Sequence, residues 1–195
     1  MPVSDTCIFR DGTLNAELWN PVTGEINSID CYPIMNSTIA VPVKLDAFQS
    51  FFVVFYHGQK SGNNENTTLE KFPEKQTLFT LEGSWNLAFD TTWGGPEQVV
   101  FDSLVDWSKR PEDGIRYYSG IAVYMKSFDL PENAELKENS EYFIDLGKLK
   151  NLGRIKLNGK DLGILWTSPL QVDITNVLKR KSNHLEVEVA NLWIN

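Results

Sequence analysis

The chain has 195 residues, 42% apolar and 12% aromatic with six tryptophans, and a formal net charge of −8. That length suits one or two domains, and that apolar share can build a core. The acidic balance argues against a nucleic-acid binder, which must neutralise phosphates in number, and fits a neutral ligand; no run approaches the ~20 apolar residues of a membrane-crossing helix.

In chain order, residues 1–57 read as β-structure. Residues 7–10 form a short strand and Asp11-Gly12-Thr13 a turn. A strand over 16–19 precedes Asn20-Pro21-Val22-Thr23-Gly24, a stretch dense in turn formers. Strands over 26–34 and 37–45 follow. The run Phe51-Phe52-Val53-Val54-Phe55-Tyr56 is apolar on both faces, so both faces need cover. A handful of strands in so short a segment hardly supplies it. The segment is therefore expected to end a sandwich whose first strands lie upstream of Met1, and the chain to be a C-terminal piece of a larger polypeptide. Residues 58–77, rich in Gly, Ser and Asn in their first half, read as a linker.

Residues 78–195 read as a second domain. Trp85, Leu87 and Phe89 alternate with Asn86 and Ala88, the period of a half-buried strand. Thr92-Trp93-Gly94-Gly95-Pro96 is a loop, 99–101 a strand, and 104–107 lead into a polar turn over 108–114. One long strand is expected over 115–128, with Ile115, Tyr117, Ser119, Ile121 and Val123 on one face and Arg116, Tyr118, Gly120, Ala122 and Tyr124 on the other. Leu130-Pro131-Glu132-Asn133 ends it, and 142–146 is the next strand. Ile155 and Leu157 then alternate with Arg154 and Lys156. Asn158-Gly159 accepts positive φ at both centres of a tight hairpin turn, and the chain returns through Leu162, Gly163 and Leu165. After Pro169, Val172 and Ile174 point inward and Gln171 and Asp173 outward. Thr175 is the expected cap of one helical turn carrying Val177 and Leu178. Leu185, Val187 and Val189 alternate with Glu186, Glu188 and Ala190 to close an antiparallel sandwich.

Cys7 and Cys31, the sole cysteines, read as two buried thiols, or as a disulfide if their strands lie side by side in an oxidising compartment. His57 and His184 read as surface or edge residues. No zinc spacing, no calcium-type oxygen-ligand spacing and no cofactor fingerprint is present, so neither metal nor cofactor is expected.

The stretch 153–193 resembles the sugar-binding jelly-roll domain of family 2 glycoside hydrolases: strand, Asn-Gly hairpin, Gly163, Asp173-Ile174-Thr175, short turn, final strand. The run Gly114-Ile115-Arg116-Tyr117-Tyr118-Ser119-Gly120-Ile121-Ala122-Val123-Tyr124 is similar to that domain's central strand. Leu162-Gly163-Ile164-Leu165-Trp166-Thr167-Ser168-Pro169, the run around Trp107 and the order of motifs are more similar still to the C-terminal end of family 106, the α-L-rhamnosidases. Glu17-Leu18-Trp19-Asn20-Pro21-Val22-Thr23-Gly24 with Ser50-Phe51-Phe52-Val53-Val54-Phe55 resembles the last strands of the sandwich before that jelly roll. Two departures stand out. Lys181 and Ser182 precede Asn183 where the family usually has Gly, and Leu170 follows Pro169 where an aromatic is common. The resemblance implies an all-β fold, a galactose-binding-like jelly roll preceded by strands of a second, incomplete sandwich. It also implies that the catalytic carboxylates belong to an upstream barrel of the same polypeptide. This region would then be its accessory on rhamnose-containing glycans, in a bacterial enzyme of the periplasm or cell exterior. No leader opens the chain, which leaves location undecided if a longer enzyme carries one elsewhere.

Glycoside hydrolysis needs two carboxyl groups across the scissile bond. Asp11, Glu112, Asp113, Glu132, Glu186 and Glu188 fall in turns or on outward strand positions, so no catalytic residue is expected here. A neutral sugar is held by an aromatic ring on its C–H face and planar polar groups on its hydroxyls. Trp93, on a Gly-Gly-Pro loop, is the leading platform, or else it folds over the sandwich edge. Trp166 lies at the rim, or else plugs one end or meets a catalytic domain. Asn158 and Asp161 are polar candidates or plain turn residues. Arg116 and Tyr118 line a concave face, or Arg116 pairs with Asp113 or Asp102. Trp107 is expected in the core. Three functions stay open: an accessory region of a glycoside hydrolase, a stand-alone carbohydrate-binding module, and a structural sandwich without ligand.

Overall fold

The computed structural model describes residues 3–10, 15–34, 38–57 and 75–191. The expected turn at 11–13, most of the expected linker over 58–77, and Trp193 lie outside the described residues. The chain divides into two compact units, Met1–Gln76 and Thr77–Asn195. No helix among the described residues is long and apolar enough to cross a membrane.

The first unit holds β1 (Val3–Phe9), β2 (Ala16–Trp19), β3 (Ile26–Ile29), β4 (Tyr32–Pro33), β5 (Ile39–Leu45) and β6 (Phe52–Phe55). They form two three-stranded sheets, β1-β5-β4 and β3-β2-β6, all pairs antiparallel. Period-two alternation sends Ala16 and Leu18 of β2 inward against Ile29, Ile39 and Val41, with Phe9, Phe51, Val53 and Phe55 closing around them. Strand β1 starts earlier than expected because β5 offers it seven paired positions. As β1 is an edge strand, Cys7 is exposed and Cys31 only partly covered, which corrects the expectation of two buried thiols.

The apolar run over 51–56 is only partly covered, and Phe52 is its exposed member. Val53 and Phe55 meet the core, whereas Phe52 is 61% exposed. Phe52 pairs with Trp19, and Trp19 with Ile26, across the outer face of the sheet. Trp19 and Ile26 are exposed as well, so the row is an apolar stripe three strands wide.

The second unit holds β7 (Trp85–Phe89), β8 (Val99–Phe101), the helical turn α1 (Asp113–Arg116), β9 (Gly120–Phe128), β10 (Phe143–Asp145), β11 (Leu152–Leu157), β12 (Lys160–Leu165), β13 (Gln171–Asp173) and β14 (Asn183–Asn191). A six-stranded antiparallel sheet runs β12-β11-β14-β9-β7-β8, and β10 pairs with β13 in a second sheet. Trp85, Leu87, Phe89, Ala122, Tyr124, Ile155, Leu157, Leu185 and Val187 fill its inner face, against Ile144, Val172 and Ile174 of the smaller layer. The architecture is an all-β antiparallel sandwich. Asn158 and Gly159 take φ of 54° and 80°, as the hairpin requires.

Two local expectations are corrected. Residues 115–128 are not one strand. The Glu112 carbonyl accepts from both Ile115 and Arg116 N–H at 3.0 and 2.9 Å, which coils the chain into α1 and drives Ile115 into the core. Arg116 and Tyr118 therefore do not share a strand face. Nor does Thr175 cap the turn after β13. The Asp173 carboxylate accepts from Thr175 N–H at 2.8 Å, while the Thr175 hydroxyl accepts from Tyr142 N–H at 2.8 Å. Val177 and Leu178 N–H then close the turn on the Ile174 carbonyl.

Candidate functional site

One end of the second sandwich is built from turns that touch. Asp90 leaves β7 with extended backbone, and its carboxylate accepts from Thr92 N–H at 2.8 Å and from the Thr92 hydroxyl at 2.6 Å. This is a side-chain cap: it starts the 3₁₀ turn Thr91–Trp93, which Gly94 ends at φ 81°. The Thr92 hydroxyl, then its N–H, holds the Asp90 carboxyl below its ordinary pKa. Asp106 repeats the device on Ser108, at 3.0 and 2.9 Å, to start the turn Trp107–Lys109. Ser108 is likewise the main cause of its lowered pKa, helped by Lys150 at 3.1 Å.

These turns lock onto α1. A methyl group on Gly114 would lie 2.6 Å from the Gly94 carbonyl oxygen, so the two backbones are in contact there. Tyr118 anchors the corner: its hydroxyl accepts from Asp90 N–H at 3.1 Å and donates to the Ile121 carbonyl at 3.0 Å. Gly95 is wedged beneath it, where a methyl would meet Phe89 Cβ at 2.5 Å and the Tyr118 ring at 2.8 Å. Gly95→Ala is accordingly expected to cost about 2 kcal/mol by overpacking. The check is a lowered urea midpoint at unchanged m-value.

From this frame Trp93 stands 71% exposed, and Tyr117 is exposed too. The Arg116 guanidinium lies over the Tyr117 ring at 5.7 Å, with its Nε donating to the Arg110 carbonyl at 3.2 Å. Tyr117 is the chief cause of the raised Arg116 pKa. The structure thus brings Trp93 and Arg116 onto abutting turns and adds Tyr117, which strand alternation had placed on the opposite face from Arg116.

The other sequence candidates lie elsewhere. Tyr118 is buried among Phe89 and Trp107 and presents no ring face to a ligand. Asn158 is a staple: its amide donates to the Val177 carbonyl at 2.7 Å and to Asn183 Oδ1 at 3.1 Å, while its Oδ1 accepts from His184 N–H at 2.9 Å. Asp161 serves its own hairpin, accepting from Gly163 N–H at 3.0 Å and pairing with Arg154, the main cause of its lowered pKa. Trp166, beyond the end of β12, is exposed, so it does not plug the end of the sandwich, and Trp93 does not fold over its edge. Two shallow depressions, of about 440 and 510 Å³, lie around Ser127, Ser182 and His184 and around Asn86, Val100 and Met125, apart from these candidates. Among the described residues no group of three or more His, Cys, Asp or Glu converges to hold a metal ion.

Among the described residues the carboxyl groups whose pKa is displaced, Asp90, Asp106, Glu112 and Asp161, are displaced downward by hydrogen bonds from Thr92, Ser108, Arg110 and Arg154.

No family model matches the chain. Over 135 residues, 69% of its length, it is 38% identical to a protein of Formosa agariphila named "Putative beta-glucuronidase", covering 11% of that protein. A solved rhamnosidase from Novosphingobium sp. PP1Y matches 98% of the chain with a TM-score of 0.81 and 33% identity, over 18% of its own length. A beta-glucuronidase of Ruminococcus gnavus matches 57% of the chain at a TM-score of 0.47 and 22% identity, over 21% of its length. The chain thus spans 11% of the curated relative and 18% of the rhamnosidase. Fold and similarity together define its class as a β-sandwich region of the kind associated with glycoside hydrolases.

Proposed function

We propose that this chain is a non-catalytic accessory region of an α-L-rhamnosidase-like glycoside hydrolase of family 106, acting on rhamnose-containing glycans beside a catalytic domain of the same polypeptide. Residues 1–57 would be the last strands of a preceding sandwich, 58–77 a linker, and 78–195 a galactose-binding-like jelly roll. The observation that carries this reading is the rhamnosidase match, which extends over 98% of this chain at 33% identity. Two features support it. The exposed row Ile26, Trp19 and Phe52 is an apolar stripe of the kind a neighbouring domain covers. The displaced carboxyl groups are held ionised rather than poised to donate a proton.

Two measurements test it. The purified chain is expected to release no nitrophenol from 4-nitrophenyl α-L-rhamnopyranoside or 4-nitrophenyl β-D-glucuronide. The encoding locus is expected to continue upstream in frame into a barrel with paired carboxylates. Turnover that co-purifies with the chain, or an upstream frame without such a barrel, defeats the reading. A second reading, a carbohydrate-binding module in its own right, is favoured by the outward indole of Trp93.

A further inference from the structure

We infer that the abutting turns 91–95 and 112–117 form a binding surface for a neutral pyranose, with Trp93 and Tyr117 as its rings and Arg116 as its hydroxyl-binding group. The inference deepens the glycan-directed reading above and rests on it for its setting. A single exposed aromatic is ordinary on a protein surface. Here two stand on turns whose backbones touch at Gly94 and Gly114, and a guanidinium is laid against one of them.

The mounting is stiff. Asp90 caps the Trp93 turn through two hydrogen bonds. Tyr118 ties Asp90 N–H to the Ile121 carbonyl. Gly95 and Gly114 sit at contacts that leave no room for a methyl group. An exposed indole would be covered at lower cost by folding onto the sandwich, yet the frame beneath it is already filled by Phe89, Trp107 and Tyr118. Rings held outward on a fixed backbone lose little freedom when a ligand arrives. Their faces carry partial negative charge and suit the polarised C–H face of a sugar. Arg116 spends Nε on the Arg110 carbonyl and is engaged by the Tyr117 side chain, and the donors left on its terminal nitrogens suit hydroxyl oxygens.

The charge around the surface selects the ligand. Asp90 is held ionised and Asp113 opens α1, while Glu112 is paired with Arg110, so beside Arg116 these turns keep a small negative excess. Such a rim repels uronates and phosphates and tolerates an uncharged ring.

The intact chain is tested by affinity electrophoresis and calorimetric titration. The probes are neutral rhamnan oligosaccharides, neutral galactan oligosaccharides and oligogalacturonate. At least one neutral probe is expected to bind, and oligogalacturonate at least tenfold more weakly. Trp93→Ala and Tyr117→Ala are each expected to weaken binding about tenfold or more, the loss of one stacking contact, with unchanged unfolding midpoints because both side chains are exposed. Trp166→Ala, an equally drastic change at another exposed indole, is expected to bind like the parent. The inference is overturned if no neutral probe binds, if Trp93→Ala binds as tightly as the parent, if Trp166→Ala loses as much as Trp93→Ala, or if oligogalacturonate binds best. The turnover and locus tests do not involve this surface, so either proposal can fail while the other stands.

Discussion

Asn183→Ala is expected to lower the unfolding midpoint of the 77–195 sandwich by about 12 °C, equivalent to ~3 kcal/mol. Asn183 opens β14 and is fully buried. Its amide donates to the Lys179 carbonyl at 2.7 Å and more distantly to the Phe128 carbonyl at 3.4 Å. Its Oδ1 accepts from Lys179 N–H at 2.9 Å and from Asn158 Nδ2 at 3.1 Å. Through Asn158 the network reaches the Val177 carbonyl and His184 N–H. Two side-chain amides thus join the β11–β12 hairpin, the turn after β13, the end of β9 and the start of β14. Alanine leaves Lys179 N–H and its carbonyl without their side-chain partner at a part-buried turn beside the fully buried position of Asn183, and a buried polar group left unmatched costs about 1–3 kcal/mol. Asn158→Ala strips one arm and is expected to cost about half as much. The double variant should cost clearly less than the sum, because each amide is the other's partner. Urea titrations of the parent, both singles and the double decide it: additive costs would show two independent turn residues instead of one network.

The strands were legible where burial follows the two-residue period. Trp85, Leu87 and Phe89, or Leu185 and Val187, declare a buried face because the inner sheet face is where they go. The Asn158-Gly159 turn was legible because few dipeptides accept two positive φ values in succession. The stretch 113–118 misleads for the same reason. Its residues fit an alternation, but the outcome is set by the Glu112 carbonyl and by packing of Gly114 on Gly94, contacts no local period encodes. That alternation put Tyr118, a core residue, on a ligand face and hid Tyr117. Asn158 was seen as a turn residue and missed as a staple, since its side-chain partners lie 19 to 26 positions away. The departure at residues 181–182 has a physical counterpart: Ser182 takes a φ of 57°, the left-handed conformation that glycine adopts most readily. Its N–H is held by Asp129 at 2.7 Å, so a side-chain cap does here what a glycine's freedom does elsewhere. The exposure of Trp93 was legible from Gly94-Gly95-Pro96, because a segment so tight around its own backbone has little room to tuck an indole back.

Trp107→Ala is expected to be the most damaging single change in the chain, costing about 4 kcal/mol. The ring is buried at the centre of an aromatic cluster. It meets Phe89 edge-on at 5.3 Å and Tyr118 at 5.8 Å, and lies nearly parallel to Tyr124 at 6.5 Å with an interplanar angle of 11°. Its indole N–H donates to the Tyr124 hydroxyl. Burial is the main cause of the raised pKa of that hydroxyl, so truncation leaves both a large void and a polar group in it. The cluster also carries the frame beneath Trp93, because Tyr118 is the residue that holds Asp90 N–H. The variant should therefore lose near-ultraviolet ellipticity along with stability, and its loss of any glycan affinity would accompany, not replace, the fall in urea midpoint. Trp107→Phe separates the two contributions: it keeps ring contacts with Phe89 and Tyr118 and removes the N–H bond, for an expected cost of about 2 kcal/mol. If alanine cost less than about 1 kcal/mol, the ring would not be organising this end of the sandwich, and the stiffness ascribed to the Trp93 turn would lose its foundation.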